Sequence, residues 1–267
     1  MPSQRPITIL KLGGSVITDR KDERPRLRSR RLARIAREIA EGWQPAQWSL
    51  LIIHGAGSFG HPIVRRTGID RGVREGSQRI AMGETQRLQS ELNAEVVRRL
   101  LHAGLPAFPV QPSASAVMEA GRLVSLDTDA IEGLLDAGIV PVLNGVPAYD
   151  RVQVCSILSG DQIAGFLYRR LGAERILHGT DVRGVYTGDP SQDSKAGFLP
   201  ELNLGSEAGL PDGIAGSSAT DVTGGMRAKL EGMRTAGAKG QVFDATRKGN
   251  VCRALLGEIV GTRVVCG

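Results

Sequence analysis

Short apolar runs rich in branched residues alternate with amphipathic helical segments along all 267 residues of the chain, and this alternation restricts the fold more than any other feature. Residues 7–12 form one such run, ending at Gly13-Gly14, and residues 49–53 form a second, closed by His54-Gly55. Runs at 107–110, 139–143, 175–177, 241–243 and 261–265 continue the pattern. Between them the sequence predicts helices over 27–42, 77–103, 128–137, 161–171, 223–236 and 250–256. The first of these carries Leu32, Ile35, Ala36 and Ile39 at helical spacing. Strands separated by helices pair in parallel and need both sheet faces covered, so the expected class is α/β with a mostly parallel central sheet. Residues 183–220 break the rhythm; rich in Gly, Pro, Ser and Asp, they read as hairpins and loops. A single domain over 1–267 is expected, with a soft division near residue 170.

With 41% hydrophobic and 23% charged residues the chain can bury one sizeable core. No apolar run reaches the length of a membrane span, and the apolar stretch near the N-terminus is too short for a secretory signal, so a cytosolic protein without a membrane partner is expected. Cys155, Cys252 and Cys266 are widely separated, which fits neither a disulfide framework nor a zinc site. A net charge of +6 raises the question of nucleic acid. The arginines are spread over many helices, however, and aromatics make up only 4%, so no nucleic-acid partner is expected. A basic surface equally attracts anionic small molecules.

Four glycine-rich turns carry the chemistry. They are Lys11-Leu-Gly-Gly-Ser15 and His54-Gly-Ala-Gly-Ser-Phe-Gly-His61 after the first two strands, Leu158-Ser-Gly-Asp161 opening a helix, and Asp221-Val-Thr-Gly-Gly-Met226 opening the helix that carries Lys229. Glycines let backbone approach phosphate oxygens, and unpaired N–H groups at a helix start face an anion. Residues 55–60 also fit a dinucleotide-binding GxGxxG, with Glu75 twenty residues on. That pattern needs a second strand ending at the acid, and residues 61–79 contain no strand-like run. A GxxxxGK[ST] phosphate loop is absent.

Taken in order, ILKLGGSVIT, HGAGSFGH, SGD, TDVRGVYTGDP and DVTGGMRAK resemble the amino acid kinases over nearly the whole chain, and HGAGSFGH resembles the isopentenyl phosphate kinases among them. Fosfomycin-resistance kinases share the histidine at the position of His61. The resemblance implies an open αβα sandwich acting as a homodimer. It implies ATP, with Mg²⁺, in the half from about residue 171 to 267, and a small phosphate acceptor, isopentenyl phosphate, in the half from about 1 to 170. It implies that Lys11 and Lys229 hold the β- and γ-phosphates and that Asp161 orients those lysines. Gly13, Gly14, Ala56, Asp181, Tyr186 and Gly225 fall on the nucleotide side. Gly55, Gly57, Gly60 and Gly160 line the acceptor, and His61 donates a hydrogen bond to its phosphate. A further lysine of the relatives corresponds here to Arg20 or Lys21; strict spacing from Lys11 favours Arg20, whose guanidinium is bulkier and forked. Ala56 stands where relatives often have glycine. No side chain is expected to ligate a metal.

This charge inventory suits transfer between phosphates. A phosphate monoester has a second pKa of about 6 and needs no general base at neutral pH. Its difficulty is repulsion from ATP, which positive charge and oriented donors relieve. Singly, each residue also has a structural reading: His61 or Asp161 at a helix start, Lys11 at a strand end, Lys229 on a helix face. Ile80, Met82, Val146 and Ile157 are candidates for an apolar pocket around the acceptor tail. A kinase for another phosphate or phosphonate such as fosfomycin, and a non-catalytic effector-binding subunit, are the alternatives.

Overall fold

The computed structural model describes residues 5–19, 24–189, 193, 195–205, 210, 214 and 225–266. The chain opens with β1 (Ile7–Leu12), the short α1 (Gly14–Ile17), α2 (Ser29–Gly42), β2 (Ser49–His54), α3 (His61–Thr67) and the 27-residue α4 (Gly76–His102). Next come β3 (Ala107–Pro109), the hairpin of β4 (Val117–Glu119) and β5 (Arg122–Ser125), α5 (Asp129–Asp136), β6 (Val140–Asn144), and a second hairpin of β7 (Val146–Asp150) and β8 (Val154–Leu158). The remainder comprises α6 (Gly160–Arg170), β9 (Arg175–Thr180), the ribbon β10 (Val185–Tyr186) with β11 (Phe198–Leu199), and β12 (Glu201–Asn203). It closes with α7 (Gly225–Ala236), β13 (Gly240–Asp244), α8 (Asn250–Leu255) and β14 (Thr262–Val265).

Eight strands form the central sheet in the order β12-β14-β13-β9-β1-β2-β6-β3. Every neighbouring pair is parallel except β13 with β14. Strand β9, beyond the soft division near residue 170, pairs directly with β1, so one sheet runs through both halves. Side chains alternate across this sheet with period two. Leu10 and Leu12 of β1 point toward α2, α4 and α8, where they join Leu32, Ile35, Leu92 and Leu255 in one core. Ile9 points the other way and packs with Ile163 and Leu167 of α6 and Leu230 and Met233 of α7. Lys11 shares the Ile9 face by the same period, which sends an ammonium group toward α6 and α7.

Three features add to the elements read from periodicity. Residues 61–71 form α3 and a 3-10 turn at Ile69–Arg71. Glu75, far from being a strand-end acid, caps α4 in a reciprocal arrangement with Gln78. The two hairpins build a second sheet, ordered β5-β4-β7-β8. Asp150 fastens it: its carboxylate accepts N–H bonds from Ala120, Gly121, Val152 and Gln153 and the Ser156 hydroxyl at 2.6–3.2 Å. The three cysteines are free thiols. Among the described residues no helix is long and apolar enough to cross a membrane.

Candidate active site

The carboxyl ends of β1, β2, β6 and β9 open onto a cleft of about 440 Å³, bordered by Gly13, Gly55, Gly145 and Thr180. Open parallel sheets bind ligands at this edge, where backbone N–H groups leaving the strands are free to point outward.

The floor carries a buried ionic cluster. Asp161 lies in the first turn of α6, behind Ser159, whose Oγ accepts the Gln162 N–H at 3.2 Å as the helix N-cap. Its carboxylate sits 2.7 Å from Lys11 Nζ and 3.3 Å from Lys229 Nζ, with all three residues buried. Lys229 stands one helical turn into α7, so its side chain leans back toward the helix start at Gly225. Burial pushes the Lys11 ammonium down to about 8 against the opposing pull of Asp161, and Lys229 adds to the lowering. Burial alone would raise the Asp161 carboxyl, but Lys11 and then Lys229 hold it well below the usual carboxylate range. Two cations thus share one anion, and the surplus positive charge sits at the cleft.

The first two glycine turns touch each other. A β-carbon on Gly14 would lie 2.4 Å from the Gly57 nitrogen, and Gly57 itself has φ +51. Glycine at these two positions therefore permits turn-on-turn packing and left-handed backbone, independently of any ligand. Thr18 ties the pair together, donating to the Gly14 carbonyl at 2.8 Å and accepting the Ser58 N–H at 3.1 Å. Ala56 has right-handed helical backbone, which explains why a methyl group fits there without strain.

Apart from the tail-pocket candidates, every site residue expected from the sequence that lies within the described residues borders this one cleft. Lys11, Gly13, Gly14, Gly55, Ala56, Gly57, Gly60 and His61 come from the first two turns. Gly160, Asp161, Asp181, Tyr186, Gly225 and Lys229 come from the later segments. Arg20 and Lys21, together with residues 221–224 of the fourth turn, lie outside the described residues. Half-buried His61 is the first residue of α3, so its position at the cleft and its place at a helix start are compatible.

The tail-pocket candidates divide. Val146 and Ile157 border the cleft, as does Val64. Ile80 is 76% exposed, and Met82 packs against Val64, Ile69 and Val73; neither borders the cleft. Helical spacing identifies a face but not which part of it is covered. Two polar residues went unnoticed in the sequence. His178 pairs in register with Lys11 and places Nδ1 3.6 Å from Asp161 Oδ1. Burial, followed by the Lys229 charge, holds it far below the usual histidine range, so it is neutral. Gln89, on α4, borders the cleft beside the second turn. A strand reading extended past Leu177 would have found the first; a glutamine in a long helix carries no signal of its own.

The amino acid kinase family model matches residues 6–243. The isopentenyl phosphate kinase of Methanothermobacter thermautotrophicus is 41% identical over 266 residues, covering 96% of this chain and 98% of its own length. That of Methanocaldococcus jannaschii is 33% identical over 265 residues, with 97% and 98% covered. A solved structure of an isopentenyl phosphate kinase superposes with a TM-score of 0.84 at 36% identity, covering 97% of this chain and 100% of that one.

Proposed function

The chain belongs to the amino acid kinase family, and on that premise we propose that it transfers the γ-phosphoryl group of ATP to isopentenyl phosphate, releasing ADP and isopentenyl diphosphate. The observation that carries this reading is the buried Lys11–Asp161–Lys229 cluster, which presents net positive charge to a cleft rimmed by glycine turns. The relatives at 41% and 33% identity support the choice of acceptor.

Lys11 and Lys229 hold the β- and γ-phosphates, and Asp161 keeps both ammonium groups aimed between donor and acceptor. Its own carboxylate is engaged by two cations and is a poor base, as an acceptor that is already a dianion requires. His61 donates to the acceptor phosphate, which the turn from Gly55 to Gly60 and Gly160 surround. Gly13, Gly14, Ala56, Asp181, Tyr186 and Gly225 lie along the nucleotide. Arg20 supplies the remaining cation. Charge developing on the transferred group meets donors fixed in advance, and that preorganisation lowers the barrier.

Among the described residues no group of three or more acids, histidines or cysteines could cage a metal. When bound, Mg²⁺ would be held by the phosphates of ATP and by water and would offset their charge. The part of the chain up to about residue 170 binds the acceptor and the part from about 171 binds ATP. The enzyme works in the cytosol as a homodimer.

The test is coupled ADP release with MgATP and a panel of isopentenyl phosphate, dimethylallyl phosphate, fosfomycin, UMP and N-acetylglutamate, with His61→Ala alongside. We expect turnover with isopentenyl phosphate and a fall in kcat/KM on the order of a hundredfold in the variant. Turnover of fosfomycin alone would overturn the acceptor, and ATP binding without turnover of any acceptor would favour an effector-binding subunit.

A further inference from the structure

Strand β9 turns three alternate residues toward α6 and α7. Ile176 joins the core with Leu230 and Met233, and Thr180, at the carboxyl end, borders the cleft. His178 lies between them, 1% exposed and in register with Lys11 on one side and Val242 on the other. Three nitrogens therefore converge on one oxygen. Asp161 Oδ1 lies 2.7 Å from Lys11 Nζ, 3.3 Å from Lys229 Nζ and 3.6 Å from His178 Nδ1. The last distance is too long for a hydrogen bond, and among the described residues the buried Nδ1 has no hydrogen-bond partner.

The three differ in freedom. Each lysine reaches Oδ1 through a flexible four-carbon stem, and both ammonium groups are drawn outward when phosphates enter the cleft. The imidazole is short and rigid and hangs from a strand paired on both sides, so it stays where it is. Burial, followed by the charge of Lys229, keeps it uncharged, and a carboxylate facing Nδ1 favours the tautomer with its proton on that nitrogen. A shift of roughly 0.5 Å would bring the pair within hydrogen-bonding range. The partner of the unpaired nitrogen is thus already in place, occupied by two competitors that the reaction calls away.

We propose that His178 is a positioning residue for phosphoryl transfer: as Lys11 and Lys229 turn from Asp161 to the phosphates, its Nδ1–H closes onto Oδ1 and keeps the carboxylate fixed between them. The inference rests on the reading of the cleft as a phosphoryl-transfer site. His178 acts through Asp161 alone. A buried carboxylate that loses part of its ion pairing needs another donor, and without one it would follow a single lysine and release the aim of the other.

The experiment sets His178→Leu beside His178→Asn, whose side-chain amide offers a donor near the place of Nδ1. With isopentenyl phosphate, His178→Leu should lower kcat on the order of tenfold and leave KM for ATP unchanged, and His178→Asn should recover most of that loss. Urea titration checks that both fold. An independent readout is the ring N–H proton resonance of His178, identified by its absence from the variant spectra. It should move downfield when a non-hydrolysable ATP analogue (AMP-PNP) fills the cleft of the wild-type protein. A wild-type kcat in His178→Leu, equal losses in both variants, or a resonance unmoved by the nucleotide would overturn the inference and leave the acceptor reading intact. If wild type turns over no acceptor, the acceptor reading falls, and the resonance still decides this inference.

Discussion

Two deeply buried polar sites face the same cleft and are treated in opposite ways. At the start of α6 a carboxylate lies between two lysines, and each charge has a partner before any ligand arrives. Beside the second glycine turn, Gln89 is equally buried and its carbonyl oxygen has no partner among the described residues. The first arrangement fixes charge in position in advance, which is what transfer between two anions requires. The second leaves a buried carbonyl oxygen unpaired among the described residues. The two sites belong to different elements, α6 and α7 on one side and α4 on the other.

The sharpest way to break this contrast is Asp161→Asn. Removing the shared anion leaves two buried ammonium groups facing each other, and breaking such a cluster costs about 3–5 kcal/mol. Chemical denaturation should register that loss, and kcat should fall on the order of a thousandfold as the lysines lose their aim. A variant with full stability and reduced kcat would show that Asp161 acts only on catalysis.

A smaller effect follows from pH. Lys11 has its pKa lowered to about 8 from 10.5. The kcat/KM for ATP reports the free enzyme, so it should decline above about pH 8, while kcat, measured with phosphates bound, should hold to higher pH. Folding stability responds in the opposite sense. Between about 8 and 10.5 the unfolded chain binds more protons than the folded one, so stability should rise with pH across that window. Denaturation midpoints at pH 8 and pH 10 check the direction.

The smallest effect concerns His178, whose buried Nδ1 lacks a hydrogen bond among the described residues although Asp161 is 3.6 Å away. As a group kept neutral by burial, it destabilises the fold as pH drops below 6.5, where the unfolded chain takes up a proton that the folded chain refuses. His178→Leu should therefore add about 1 kcal/mol at neutral pH and flatten the acid side of the stability profile. A loss of stability in urea titrations would show that the contact with Asp161 carries weight.

Much of this was legible in the chain itself. Residues 7–12 read as a strand ending in glycine because an apolar run of that length has few alternatives, and β1 occupies those positions. The helix starts at Gly160 and Gly225 were marked by glycine turns. The β4–β5 and β7–β8 hairpins were not legible. Their strands are short and mix exposed with buried positions in no clean alternation, and Asp150 links the β4–β5 turn to the β7–β8 turn through bonds between residues distant in sequence.

The sequence by itself determined the α/β class, the family and the set of turns that border one cleft, because periodicity and glycine placement are local properties of a chain. The resemblance already implied that Asp161 orients Lys11 and Lys229; only the tertiary structure decided that the three are buried together, that His178 lies against them, and that Gln89 is left unpaired among the described residues beside Gly60. Those are relations between residues far apart in sequence. Their energies depend on burial and distance, which exist only once the sheet has brought the ends of its strands together.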